Sequence, residues 1–390
     1  MIAQRAFPAA SLAVTHAGKL VALKSFGKFV YEEDLEGAPS LSRSLRQGGD
    51  FDVGVATLFD LASLTKAVAT TTMAMILYER GLLELDTPVS GTLPEFLAGD
   101  DARRHEVTFR MLLAHSSGLP AYEKLFLKAS GRDELLKAAI SMPLTAIPGT
   151  RAEYSDIGFI ILGVALERIA GEPLDSFCRR EVFGPLGMSN TTFNPPRDLR
   201  AKIPPTAEVR EECSAGVPAR EMPAVNMQSS GGRQKARITF RNRILQGEVQ
   251  DENAFVLGGV AGHAGLFSTA EDVARFAHVM ISGGSPIVRP ETIALFTRRE
   301  ATPSGTSRAL GWDTPSAPSQ SGAHFGPRSY GHLGYTGTSL WIDPNQQLSI
   351  TLLTNRTWPD CSNQAIKQVR PRIHDAVMES VETFLRRGDR

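Results

Sequence analysis

The 390-residue chain has little of what would place it in several large functional classes. Its three cysteines, Cys178, Cys213 and Cys361, are an odd number without a Cys-x-x-Cys pair. That argues against a disulfide framework or a structural zinc site. Charge of one sign is lacking, because 42 Lys and Arg balance 42 Asp and Glu. A nucleic-acid or anionic-membrane partner calls for a basic surplus on one face. The densest basic cluster, Arg233 to Arg243, reads as a solvated loop. Long apolar runs are also missing. The longest, Ile157 to Leu166, is too short to span a bilayer and suits a buried helix. The N-terminal MIAQRAFPAASLAV has no apolar stretch followed by a small-residue cleavage site, so it reads as the start of a strand. The chain as given is expected to be soluble and cytoplasmic; an export signal removed upstream would place it in the periplasm or outside the cell.

What is present is an ordinary globular composition, 42% hydrophobic and 22% charged. Alternation around His16-Ala17-Gly18-Lys19 predicts a strand hairpin over 10–30. A helix is predicted over 62–80 with Gly81 as its stop. Shorter helices are expected over 107–115, 132–140 and 156–170, the last closed by Gly171. Residues 194–235, rich in Pro, Gly, Ser and Arg, read as a long surface excursion. Ser268-Thr269-Ala270-Glu271 has the pattern of a capping box, and Pro290 of a first-turn proline. Strands over 331–335, 338–342 and 348–354, joined by tight turns, imply antiparallel pairing, and an amphipathic helix closes the chain. The expected class is α/β (α+β): an antiparallel sheet flanked by helices. The sheet domain is drawn from 1–85 and 200–390, with a mainly helical domain inserted over 86–199 and the active site between them.

Motifs carrying chemistry are few. Gly-x-Ser-x-Gly, His-Glu-x-x-His, a phosphate-binding loop and Gly-x-Gly-x-x-Gly are all absent. Ser-x-x-Lys occurs twice, as Ser25-Phe-Gly-Lys28 and Ser63-Leu-Thr-Lys66. In a strand, positions three apart point to opposite faces, which disfavours the first. At the start of a helix the same spacing is nearly one turn, so Ser63 and Lys66 share a face. A first-turn serine feels the positive helix end, and its own unpaired N–H can face an oxyanion. Lys66 can accept the Ser63 proton if burial depresses its pKa. The competing reading, a capping serine and a solvated lysine, weighs as much on the motif alone.

Flanking sequence decides between them. FDLASLTKAVATTTMAMILYERG resembles the nucleophile helix of the serine beta-lactamase and penicillin-binding-protein superfamily, which includes class C beta-lactamases, D-Ala-D-Ala carboxypeptidases and family VIII esterases. VTFRMLLAHSSGLP is similar to the segment that follows there. AEYSDIGFIILG supplies Tyr154-Ser155-Asp156 for that superfamily's Tyr-x-Asn, and GHLGYTGTSLWIDP supplies His332-Leu333-Gly334 for its Lys-Thr-Gly or His-x-Gly. The resemblance covers nearly the whole chain except much of 194–250. It implies Ser63 as acylated nucleophile, Lys66 and Tyr154 as proton-transfer groups, and the N–H groups of Ser63 and Tyr335 as oxyanion hole. Lys66 beside Tyr154 would favour a phenolate, and Gly334 would leave room for substrate backbone along its strand. Of three His-x-Gly triplets, only His332 precedes the expected strand pair and helix; His263 is expected to be structural.

Two departures matter. Asp156 stands where the superfamily has Asn, and as a carboxylate it cannot donate a hydrogen bond, so pairing with Lys66 is expected. His332 in place of Lys removes a fixed positive charge. With an ordinary pKa of about 6.5 it would gain charge only on acidification. The expected function is acyl-enzyme hydrolysis of small esters or peptidoglycan-derived amides, needing no metal or organic cofactor. The alternatives are a D-Ala-D-Ala carboxypeptidase or weak beta-lactamase using the same residues, and a non-catalytic ligand-binding or scaffold protein of the same fold.

Overall fold

A computed structural model of the chain describes residues 2, 4–31, 52–208, 241, 243–359 and 361–388. Cys213, most of the basic cluster from Arg233 to Arg243, and the 209–235 part of the predicted excursion lie outside the described residues. The hairpin expected around His16 to Lys19 is formed by β1 (Ala9–His16) and β2 (Lys19–Gly27). β3 (Phe59–Asp60) leads to a π-helical turn, Lys66–Thr71, that runs into α1 (Thr72–Glu79). Helices α2 (Phe109–Leu113), α3 (Arg132–Ile140), α4 (Asp156–Ala170) and α5 (Leu174–Cys178) follow. Next come β4 (Thr192–Phe193), α6 (Arg197–Arg200), β5 (Ala207–Glu208), β6 (Ile244–Leu245), α7 (Glu252–Val256) and β7 (Leu266–Ser268). The chain continues through α8 (Ala270–Ile281), α9 (Pro290–Thr297), β8 (Tyr330–Leu333), β9 (Ser339–Asp343), β10 (Leu348–Thr354) and α10 (Ile366–Gly388).

The main sheet has the order β2-β1-β10-β9-β8 and is antiparallel throughout. Strand alternation gives it two apolar faces. Ala10 and Val14 of β1, with Leu348, Ile350 and Leu352 of β10, pack on Ile366, Val369 and Met378 of α10. Ala9, Ala13, Leu340 and Leu353 point the other way and join the large core that includes Val273 and Ala277 of α8. That core continues into α4, whose residues Ile157 to Leu166, apart from Val164, are buried, as the longest apolar run requires. β8 is the last strand of the sheet order, bridged on its outer side by Asp313 at Gly331, and carries His332.

Two details differ from expectation. The cap of α8 is Thr269, whose side chain accepts from Asp272 N, rather than Ser268 of the predicted capping box. Ser268 is taken up in β7, paired with Phe59, and its hydroxyl meets that of Thr191 at 2.7 Å, so the helix starts one residue later. Cys178 is buried and free, while Cys361 is disulfide-bonded, which the odd count did not suggest. No helix among the described residues is long and apolar enough to cross a membrane.

Candidate active site

The candidate nucleophile sits on a clamped turn. After β3, Leu61 N still bonds Leu266 O, and then Ala62 turns to φ 47°, a left-handed conformation that costs a non-glycine residue about 1–2 kcal/mol. The Asp60 carboxylate holds it there, accepting from Ala62 N at 2.8 Å and from Gln250 N at 2.7 Å. From the other side, Thr336 Oγ1 donates to Asp60 O and Thr338 Oγ1 to Leu61 O. Burial pushes the Asp60 carboxyl up to about 6, against the pull of its two backbone donors. Asp60→Asn would set an amide NH2 against one of those N–H groups. The expected cost is about 1–3 kcal/mol of unfolding free energy, the penalty for a buried donor without an acceptor. A urea midpoint equal to wild type would show that the clamp carries no weight.

Ser63 follows at once, ahead of the π-helical turn, and its amide N–H donates to no described residue. Its Oγ accepts from Tyr154 OH at 2.7 Å and from Lys66 Nζ at 3.0 Å. Lys66 is fully buried, with Nζ also 2.6 Å from Asp156 Oδ1 and bonded to His263 O at 2.9 Å. The Asp156–Lys66 pairing expected from the sequence is therefore present. Burial lowers the Lys66 pKa from its ordinary value, and Asp156 opposes the shift without cancelling it. The Tyr154 phenol moves the other way, well above 10, because burial and Asp156 both disfavour the phenolate. The expected phenolate is thus overturned: the charge of Lys66 is engaged by Asp156, and Tyr154 keeps its proton.

Tyr154 precedes α4, whose N-cap Ser155 accepts from Gly158 N and donates to Pro120 O. Ser155 N donates to His115 Nδ1 at 3.0 Å, and the His115 ring lies 4.7 Å from the Tyr154 ring, fixing the tyrosine from two directions. His263 behaves as expected of a structural residue, since Nε2 meets the buried Asp251 carboxylate at 2.8 Å. Its place in the site comes through its backbone carbonyl, which holds Lys66.

His332 reaches the cleft from β8 and is 2% exposed. Nδ1 faces Leu333 O at 2.8 Å, so it must carry the proton, leaving Nε2 as a buried acceptor with no partner. Burial, then Lys66, drives its pKa down to about 3. The ordinary value assumed from sequence does not hold, and acidification toward about pH 6 leaves His332 neutral. Its ring proton NMR signals are expected to stay flat between about pH 5 and 8, and a titration step near 6.5 would contradict the buried placement.

Gly334 is required for packing rather than for open space. A Cβ there would lie 2.0 Å from Thr338 Oγ1 and 2.5 Å from Leu61 O. The missing side chain lets the end of β8 close on the nucleophile turn. Tyr335 is the next residue, under Arg356, whose guanidinium lies 4.4 Å over its ring.

Ser63, Tyr154, Asp156, His332, Gly334 and Tyr335 line one cleft of about 300 Å³, with Lys66 buried beneath it. Sequence reasoning missed four contributors: Asp60, His115, Asp251 and Arg308. Arg308 lines the cleft, is paired with Asp313, and lies 5.4 Å from the Tyr154 ring centroid. An aspartate three residues ahead of a helix-opening serine was a usable signal for Asp60. Nothing in the sequence links Arg308 to Tyr154.

A serine whose oxygen meets a buried lysine three residues on and a tyrosine just ahead of another helix, on an antiparallel sheet covered by helices, defines a serine hydrolase. The chain belongs to the Beta-lactamase family, whose profile matches residues 1–370. It is 33% identical over 371 residues to the N-acetylmuramyl-L-alanine amidase of Bacillus subtilis, covering 90% of this chain and 77% of that one. Among solved structures it resembles EstCE1, a hydrolase with promiscuous acyltransferase activity, at TM-score 0.69 and 21% identity, over 96% of this chain and 94% of that one. It also resembles the Beta-Lactamase/D-Alanine Carboxypeptidase from Pseudomonas syringae at TM-score 0.64 and 18% identity, over 96% and 95% of the two chains. These two structural likenesses concern the fold.

Proposed function

We propose that the protein hydrolyses peptidoglycan-derived amides, and small esters by the same route, through an acyl-enzyme on Ser63. The observation that carries this is the double contact at Ser63 Oγ, 2.7 Å from Tyr154 OH and 3.0 Å from Lys66 Nζ. Lys66, with its depressed pKa, takes the Ser63 proton as Oγ attacks the carbonyl carbon. The N–H groups of Ser63 and Tyr335 receive the negative charge that develops on the carbonyl oxygen. Tyr154, held as a neutral phenol, gives its proton to the leaving nitrogen or oxygen and is reprotonated from Lys66. Water then attacks the acyl carbon by the reverse proton path. The two portions of the chain, 1–85 with 200–390 and 86–199, meet at this cleft, supplying Ser63 and His332 from one and Tyr154 from the other.

The amidase relative supports an amide substrate, and a cleft of about 300 Å³ suits a small one. The test is incubation with N-acetylmuramyl-L-alanyl-D-isoglutamine and with 4-nitrophenyl butyrate, reading product release and the intact mass of the protein. Release of N-acetylmuramic acid, with an acyl adduct mapping to Ser63, is expected. No product and no adduct from either compound would overturn the assignment.

A further inference from the structure

The turn between β8 and β9 presents Tyr335 to the cleft and is fixed from two sides. On the side of Ser63, Thr336 Oγ1 donates to Asp60 O and Thr338 Oγ1 to Leu61 O, which sets the spacing between the two turns. On the other side stands Arg356, two residues past the end of β10 and buried. Its backbone N–H donates to Thr336 O at 2.9 Å. Its stem passes beneath Gly337, where a Cβ would lie 2.6 Å from Arg356 Cγ, so the turn can close on it only with glycine there. The guanidinium then meets Tyr335 twice: Nε donates to Tyr335 O at 2.7 Å, and Cζ lies 4.4 Å from the ring centroid. Nη1 is tied back to Cys361 O at 2.8 Å and to Asn363 O at 3.2 Å. Cys361 is itself disulfide-bonded, so this rear anchor is held covalently. Burying a guanidinium is costly, and an apolar side chain could fill the same volume. What the arginine adds is direction.

We propose that Arg356 is a positioning residue for the oxyanion hole, aiming the Tyr335 N–H at the carbonyl oxygen of the substrate. This rests on the acyl-enzyme reading of the cleft, with the N–H groups of Ser63 and Tyr335 as the two donors. The peptide planes that flank Tyr335 share its Cα. Fixing the carbonyl on one side, together with the ring, leaves the N–H on the other side little room to swing. An N–H stabilises a developing oxyanion only when aligned and within about 2.7–3.1 Å of it. A turn free to shift by about 1 Å would lose much of that effect. Arg356 borders the cleft, but these donors point at Tyr335, Cys361 and Asn363, so its action on the reaction is indirect.

The test uses Arg356→Gln in the full chain, with two readouts. One is kcat/KM for 4-nitrophenyl butyrate. The other is the dissociation constant of phenylboronic acid, whose tetrahedral adduct on Ser63 places an oxygen where the oxyanion forms. Both should weaken together, by roughly tenfold to a hundredfold, the scale of a misplaced oxyanion donor. The pH midpoint of kcat/KM should stay where Lys66 sets it. A general loosening of the site would change the burial of Lys66 and move that midpoint. Arg356→Lys should fall between wild type and Arg356→Gln, because an ammonium can reach one carbonyl but neither forks nor stacks flat on a ring. Values of both readouts within a few-fold of wild type overturn the positioning role and leave the function standing. So does a fall in kcat/KM with boronate affinity unchanged, or one accompanied by a moved midpoint. If Arg356→Gln fails to fold, the same readouts in Arg356→Lys decide. A wild type that neither hydrolyses the ester nor binds the boronate removes the function reading and the positioning role with it.

Discussion

Ser63→Ala is expected to abolish covalent labelling and to lower kcat/KM by roughly 10⁴ to 10⁶, the scale on which removing a nucleophile ends covalent catalysis. The substitution removes one oxygen that accepts from Tyr154 OH and Lys66 Nζ. Lys66 keeps Asp156 and the His263 carbonyl, so the loss falls on chemistry more than on the fold. Ser25→Ala is the control. Ser25 also heads a Ser-x-x-Lys, but it lies on β2 opposite Ser11 in the strand ladder, with no helix to bring Lys28 onto its face. Its variant should stay within a few-fold of wild type in labelling and turnover. Labelling by a fluorophosphonate probe or an ester that persists in Ser63→Ala would remove the nucleophile assignment.

Tyr154→Phe should leave the fold intact while turnover falls by roughly 10² to 10⁴, the usual scale of a lost general acid–base group. The hydroxyl meets Ser63 Oγ, whereas the ring is held independently by His115 and by the α4 cap. The variant also separates the two proton-transfer groups. With the Tyr154 phenol held above its ordinary pKa and Lys66 held below its own, the base expected to titrate is Lys66. A lysine base works in its neutral form, so kcat/KM should rise with pH toward a midpoint below 10.5. Tyr154→Phe should keep that rise at reduced height. A rise that vanished in the variant would make tyrosine the titrating base, and near-normal turnover would reduce Tyr154 to a packing residue.

The sequence by itself determined much of the architecture, because periodicity and punctuation are local properties. The hairpin at His16 to Lys19, the helix stopped at Gly81, buried α4 and the antiparallel run β8 to β10 all follow from spacing and turn residues. It also supplied the order of Ser63, Lys66, Tyr154 and His332, and the choice of Ser63 over Ser25, since helix and strand place three-apart residues differently.

Tertiary structure decided everything that depends on burial and on groups distant in sequence. It set the protonation of Tyr154 and His332, because desolvation and neighbours such as Asp156 and Arg308 act only once the chain has folded around them. The use of Gly334 was decided by the approach of Leu61, and the cap at Thr269 by the pairing of β7 with β3. Asp60, whose second oxygen bonds a residue 190 positions away, could be assigned to the nucleophile turn only there. The meeting of α10 with the cleft has the same origin. A buried Arg370 bonded to Gln320 and Thr338 cannot be told from a solvated one until the surrounding side chains have excluded water.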